Sequence, residues 1–232
     1  MIQKPPVGAV VNPSNPLSAG LILSPLFNGT LWEPCQQTSL RVFLDPPTWG
    51  VNDLGDPCLL SGPNYGTVEA DVRSIPFFQH VPTSFTFAMR FCPAGGGYLA
   101  DSDIGPLTTL YSLGKNPPFI QVPLRSQANS PIWWRYLYTP GDWILMLVTV
   151  AENNCNVYVN GALVHTFPDC SVSKTWVAPM TTMAFACGDA YHGTQRMCQF
   201  AGLYDLYQLW ANRVFTPAEA ASHAADWWQM LR

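Results

Sequence analysis

Apolar and polar positions alternate along most of this chain with the two-residue period of extended strands. The clearest case is Ser84 to Phe91, where Phe85, Phe87, Met89 and Phe91 fall on one face. An apolar run, Trp143 to Val150, predicts a strand that leads into the next hairpin. Asn156 to Phe167 then reads as a hairpin, in which Val157 and Val159 precede Asn160-Gly161 and Ala162 and Val164 follow it. Both central residues of a type I′ turn need positive φ, which Asn and Gly tolerate best. Further strands are predicted at 20–27, 59–68 (strand and turn), 108–113, 119–122, 132–138, 180–187 and 199–210, and the Pro-, Gly- and Asp-rich stretch 45–57 predicts a loop. That order is the pattern of an antiparallel sandwich.

The two ends read differently. Residues 1–20 carry repeated prolines, Lys4-Pro-Pro-Val-Gly and then Asn12-Pro-Ser-Asn-Pro-Leu, which exclude an α-helix and predict an extended arm. Such an arm lies across its own domain or reaches a neighbour. At the other end, Thr216-Pro-Ala-Glu219 is a capping box, with Thr216 at the N-cap and Glu219 at the third helical position. Ala220, Ala221, Ala224, Trp227, Trp228 and Leu231 recur at helical spacing, so a short helix over 216–231 is predicted to pack on the sandwich, with the Trp pair as packing residues. The expected division is an arm, 1–20, and one sandwich domain, 21–232.

Composition sharpens this picture. Charged residues are 11% of the 232, against about 25% in ordinary soluble proteins, while there are nine Trp and 22 Pro. A surface that poor in charge is covered by neighbouring subunits, offers aromatics to flat apolar faces such as sugar rings, or is a neutral surface of Ser, Thr, Asn and Gln. With net charge −4 and no basic block, nucleic acid is not an expected partner, and no apolar run is long enough to span a bilayer. Met1-Ile-Gln-Lys-Pro-Pro lacks the apolar core of a secretory signal, so the expectation is synthesis in the cytoplasm without ordinary secretion. Seven cysteines without a Cys-x-x-Cys argue against zinc and for mostly buried thiols; a Cys187–Cys198 bridge is the one pairing the strand pattern suggests. Asn28-Gly-Thr30 is a glycosylation sequon that carries little meaning without a secretory signal.

With these pieces in place, the chain resembles the laminin G-like, concanavalin A-like jelly rolls. The residues that carry the resemblance are the Trp143 strand, the Val157-Tyr-Val-Asn-Gly-Ala-Leu-Val164 hairpin, and Gly202-Leu-Tyr-Asp-Leu-Tyr-Gln-Leu-Trp210 followed by Asn212-Arg-Val-Phe-Thr-Pro-Ala-Glu219. Asn15-Pro-Leu-Ser-Ala-Gly-Leu-Ile22, Cys58-Leu-Leu-Ser-Gly62 and Ser84-Phe-Thr-Phe87 match more loosely. The implied fold is an all-β antiparallel jelly-roll sandwich with an N-terminal arm and a C-terminal helix. Within that group, the Asn15–Leu21 opening and the Asn212–Trp228 close are similar to bacteriophage and prophage members. This similarity implies a virion component, as capsid decoration or tail module.

Candidate chemistry is sparse. Glycanases of this fold carry Glu-x-Asp-x-x-Glu on one strand; here Glu69-Ala-Asp71 is followed by Arg73 and Ser74, the second Glu is absent, and both acids are expected to face solvent. There is no Gly-x-Ser-x-Gly, and the four histidines are scattered. Asp101-Ser-Asp103 after Gly95-Gly-Gly97 would suit calcium, which some laminin G-like domains bind, but two carboxylates rarely suffice and no cofactor is expected. The best binding candidate is Trp133 to Tyr138. Alternation puts Trp134, Tyr136 and Tyr138 on one face, either as an exposed aromatic platform or against the core, with Arg135 on the other. Tyr191 and His192, in a polar loop with Asp189, are a second candidate cluster. The expected function is a non-enzymatic structural or adhesive virion protein, homo-oligomeric, tied to neighbouring subunits through its arm and able to bind surface glycans. A free-standing carbohydrate-binding module is the alternative, and a glycoside hydrolase is a third reading.

Overall fold

The computed structural model describes residues 2, 4–6, 8–43, 46–61, 67–94, 97–98, 100–102, 111–113, 119–176, 178–185 and 201–231. Among these, one large antiparallel sheet runs in the order Ala162–Phe167, Asn154–Val159, Ile144–Ala151, Ser84–Pro93, Gly202–Ala211, Leu26–Phe27, Leu31–Glu33 and Thr38–Ser39. Leu21–Leu23 and Pro57–Ser61 also pair with Gly202–Ala211, and Thr48–Val51 pairs with Pro57–Ser61. Two four-stranded sheets complete the set: Ala100–Ser102, Thr182–Phe185, Thr67–Asp71, Arg41–Phe43; and Gly97–Tyr98, Tyr111–Leu113, Phe119–Arg125, Pro131–Leu137. The architecture is an antiparallel jelly-roll β-sandwich with a short C-terminal helix.

The period-2 pattern explains the layers. Phe85, Phe87, Met89 and Phe91 point to one face of the large sheet, together with Ile144, Met146, Val148 and Val150 from the neighbouring strand. They meet Val68, Ala70, Met183 and Phe185 of one small sheet and Leu124 of the other in the main core. The opposite face is not left to water. Ala88, Leu145, Leu147, Tyr158, Leu206 and Trp210 form a second core with Ala9 and Leu17 from the arm and Phe215, Ala220, Trp228 and Leu231 from the C-terminus. The central strands are therefore buried on both faces, with Thr86, Arg90 and Gln208 as buried polar residues among the apolar ones.

The Asn160-Gly161 turn forms as predicted: φ is 49° and 83°, and Val159 pairs with Ala162 across it. The turn also seats the helix, since a Cβ on Gly161 would lie 2.8 Å from Ala224 Cβ. The capping box of Thr216 and Glu219 is closed in both directions, but the helix spans Pro217–Ala225 only. Trp227 and Trp228 follow it in a turn and are buried.

The arm lies across its own domain. Asn12 N–H donates to Met230 O at 2.7 Å, Trp210 Nε1 to Leu17 O at 2.6 Å and Trp32 Nε1 to Ala9 O at 3.2 Å. A 3₁₀ turn, Pro16–Ser18, interrupts its extended course, because Pro fits the first position of such a turn and Asn15 Oδ1 caps it by accepting from Leu17 N–H. Lys4 is buried. Its Nζ donates to Phe27 O, Pro57 O and Asp205 Oδ1 at 2.6–2.7 Å. Asp205 is the extra residue of a β-bulge, between Tyr204 opposite Phe91 and Leu206 opposite Arg90, and the bulge turns its carboxylate toward the arm. Arg90 completes the cluster. It donates to Asp205 Oδ2 at 2.7 Å, pairs with Asp53, and lies between the Trp143 and Trp227 rings at 4.3 and 4.5 Å.

Other expectations change in detail. The segment 20–27 is split at Ser24-Pro25 into two short strands, since Pro25 cannot donate to a ladder. The loop reading of 45–57 gives way to the hairpin of Thr48–Val51 with Pro57–Ser61; its polar turn, where Asn52 Oδ1 accepts from Leu54 and Asp56 N–H and Gly55 takes φ 88°, masked the strand. Glu69 does not face solvent. It sits on the inner ladder of its sheet, opposite Arg41 on one side and Ala184 on the other, and is buried. Cys35, Cys58, Cys92, Cys155 and Cys170 are free thiols. Burial pushes Cys58 up to about 12 and Cys170 to about 11, which keeps both protonated and unreactive. Cys187, Cys198, Tyr191, His192 and Asp103 lie outside the described residues.

Candidate functional site

The aromatic row of Pro131–Leu137 and the residue after it is positioned by a change of layer. This edge strand pairs with Phe119–Arg125, placing Trp134 opposite Val122 and Tyr136 opposite Ile120. The chain then crosses to the large sheet through Thr139-Pro-Gly-Asp142, a turn closed by Asp142 N–H donating to Thr139 O at 3.1 Å. Pro140 supplies the fixed φ and Gly141, at φ 94°, the positive one, as a type II turn requires. Trp143 and Ile144 follow directly.

This crossing opens a cleft of about 460 Å³ at the mouth of the sandwich, lined by Tyr136, Leu137, Tyr138, Thr139, Asp142, Trp143, Ile144 and Asn160. The sequence left two orientations open for Trp134, Tyr136 and Tyr138. In the structure all three are half-buried and pack against the main core, while Arg135 and Leu137 are exposed on the other side. The row is therefore not a flat outward platform. Trp134 belongs to the packing: its ring stacks on His165 at 5.4 Å and 12°, and joins the edge of the large sheet to the small one. Tyr136, 5.9 Å from Trp134, and Tyr138 present their remaining surface to the cleft.

Three lining groups were not among the sequence candidates. Trp143 is held by the Arg90 guanidinium over its ring, which ties the cleft wall to the buried Asp205 cluster. Asn160 Oδ1 accepts from Leu145 N–H at 2.9 Å, so its orientation is fixed and its amide Nδ2 is left as a donor. Asp142 is exposed and makes no side-chain hydrogen bond among the described residues. The Pro-Gly pair was the signal that could have marked the cleft, because such a turn between two aromatic strands displays whatever flanks it. Chemically, the cleft combines aromatic faces, an anionic acceptor, a hydroxyl and a fixed amide. Among the described residues Asp142 is its one lining carboxylate, where a glycosidase uses a pair. Glu69 and Asp71, the nearest match to a glycanase motif, lie elsewhere, with Asp71 held between Arg41 and Arg73. Among the described residues, no three His, Cys, Asp or Glu side chains converge as a metal site.

The fold defines a jelly-roll β-sandwich of the concanavalin A and laminin G-like kind. Among solved structures, the chain is similar to domain 4 of AbnA, an extracellular GH43 arabinanase from Geobacillus stearothermophilus, solved with arabinotriose (TM-score 0.60, 12% identity, 89% of this chain and 98% of that one). It is also similar to the botulinum neurotoxin type C structure described as entering cells through two ganglioside molecules (TM-score 0.63, 14% identity). The binding domain of botulinum neurotoxin DC in complex with rat synaptotagmin II gives TM-score 0.62 and 14% identity. In both neurotoxin cases 89% of this chain covers 51% of the other, so the chain spans about half of those proteins' length. At these identities the likeness is one of fold. No family model and no curated protein matches the sequence.

Proposed function

We propose that this chain is a non-enzymatic carbohydrate-binding module whose ligand cleft is the mouth formed by Tyr136, Tyr138, Asp142, Trp143 and Asn160. The observation that carries the reading is the combination in that cleft of aromatic surface with the exposed Asp142 carboxylate and the fixed Asn160 amide. Sugar rings stack on aromatics through their C–H faces, and their hydroxyls need fixed acceptors and donors. Support comes also from the solved structures of like fold, one holding arabinotriose and one described with gangliosides. A glycan array probed with the full chain tests it. Bound neutral oligosaccharides are expected to lose about tenfold or more in affinity with Asp142→Ala, the scale of one charge-assisted hydrogen bond, and similarly with Tyr138→Ala. Absence of any glycan binding by the folded protein, or binding indifferent to both substitutions, would refute the reading.

The finer setting we propose is a bacteriophage particle, as capsid decoration or tail-associated adhesin. What supports it is the similarity of the Asn15–Leu21 and Asn212–Trp228 segments to phage proteins. The arm adds nothing to this, because it docks on its own chain. Mass spectrometry of purified particles is expected to find the protein as a stoichiometric component; its absence there would remove the virion placement and leave the binding module standing.

A further inference from the structure

We propose a second ligand site, at the other end of the large sheet, that takes an acidic saccharide through a carboxylate or sulfate group. A cleft of about 470 Å³ opens there, between the short strands beyond Leu26–Phe27 and the edge of the sheet containing Arg41–Phe43. Two guanidiniums meet at its rim on a single carboxylate. Arg41 Nη2 lies 2.5 Å from Asp71 Oδ2, while Arg73 approaches with Nε 3.0 Å from Oδ1 and Nη2 2.5 Å from Oδ2. Local structure fixes the trio: Arg41 begins one strand, Asp71 ends its neighbour, and Arg73 N–H closes back on Asp71 Oδ1 at 3.1 Å.

Each guanidinium carries five N–H donors. Asp71 engages one from Arg41 and two from Arg73, so most donors of both remain, on side chains that are 56% and 60% exposed. Two exposed cations against the half-buried Asp71 carboxylate leave the rim positive, and the shared carboxylate holds the forks in place before a ligand arrives. The guanidiniums keep Asp71 at about 2, so the trio stays charged throughout the ordinary pH range. Glu33 also lines the cleft but is buried, and its carboxylate is taken by the N–H groups of Ser24, Cys35 and Gln36. Glu69 is buried and is not part of the lining. Ser39 and Ser74 flank the arginines, are exposed, and make no side-chain hydrogen bonds among the described residues, leaving their hydroxyls for those of a sugar. A short polar cleft of this size suits one or two sugar rings better than an extended peptide.

This site stands apart from the Tyr138 cleft, and the test separates them. The full chain is titrated by calorimetry with a digalacturonate, a sulfated disaccharide, a neutral disaccharide and a Glu-rich peptide, at low and high salt. The acidic saccharides are expected to bind saturably and to weaken with salt. Arg41→Gln and Arg73→Gln should each reduce that binding about tenfold or more, Arg73→Lys should restore it only in part, and Tyr138→Ala should leave it unchanged. Carboxylate or sulfate preference follows from the two probes. No binding of either acidic saccharide, binding that survives both Gln substitutions, or equal binding of the peptide would overturn the proposal. Loss of neutral-glycan binding alone would count only against the first cleft.

Discussion

His223 shows how one buried side chain sets a measurable property of the whole protein. It is fully buried under the C-terminal helix, against Trp210 and Phe215, with Nε2 2.6 Å from Gln208 Oε1. Gln208 Nε2 donates to Trp227 O and Ser24 Oγ, which fixes the amide and makes Oε1 the acceptor. The imidazole is therefore the neutral Nε2–H form, and its buried Nδ1 has no hydrogen-bond partner among the described residues. Burial alone pulls its pKa down to about 3 from an ordinary 6.5. The unfolded chain thus binds a proton between those values that the folded one refuses. This contribution to stability is complete above pH 6.5 and is lost as pH falls toward 3, by at most about 1.4 kcal/mol per unit. Urea melts from pH 7 to pH 4 are expected to show falling stability, with a shallower slope in His223→Gln. An identical slope in that variant would show that His223 does not titrate this way.

At the scale of elements, the arm is the piece whose role most needed the structure. Its prolines prevent regular structure, yet its backbone is bonded to the C-terminal residues at Met230 and Leu231, and its Lys4 enters the Asp205–Arg90 cluster. Burial draws the Lys4 pKa down, and the Asp205 carboxylate opposes that shift. Taking Lys4 away leaves Asp205 and Arg90 in a low-dielectric site with one partner fewer. Lys4→Met is accordingly expected to cost about 3–5 kcal/mol, the usual range for breaking a buried ion pair, read as a lower denaturation midpoint. A change within experimental error would mean that Arg90 and Asn52, which also donate to Asp205, suffice.

On the scale of the whole molecule, the low charge content has a structural reading. Apolar residues fill two cores, one between the sheets and one under the arm and helix, so a chain of this length spends much of its composition inside. Two groups of the charged side chains bear on the fold and the surface: Lys4, Asp205 and Arg90 form a buried cluster, and Arg41, Asp71 and Arg73 meet at a rim. The two clefts sit at opposite ends of the large sheet, each where a small sheet meets its edge. A neutral ligand at one and an acidic ligand at the other can therefore be held without competing for the same surface.

The strands of 84–93, 144–151 and 154–167, the Asn-Gly turn and the capping box were legible because each depends on neighbours in sequence: a two-residue period, two positive φ values, a side chain reaching three residues along. Those local rules determined that this polypeptide becomes an antiparallel sandwich with a short helix at its end. Which side of Trp134, Tyr136 and Tyr138 meets the core, that Glu69 is buried, that Lys4 finds Asp205, and that Arg41 and Arg73 share Asp71 were decided only by the tertiary structure. Each of these depends on which element lies over which face, and alternation alone gives two faces without saying which is covered.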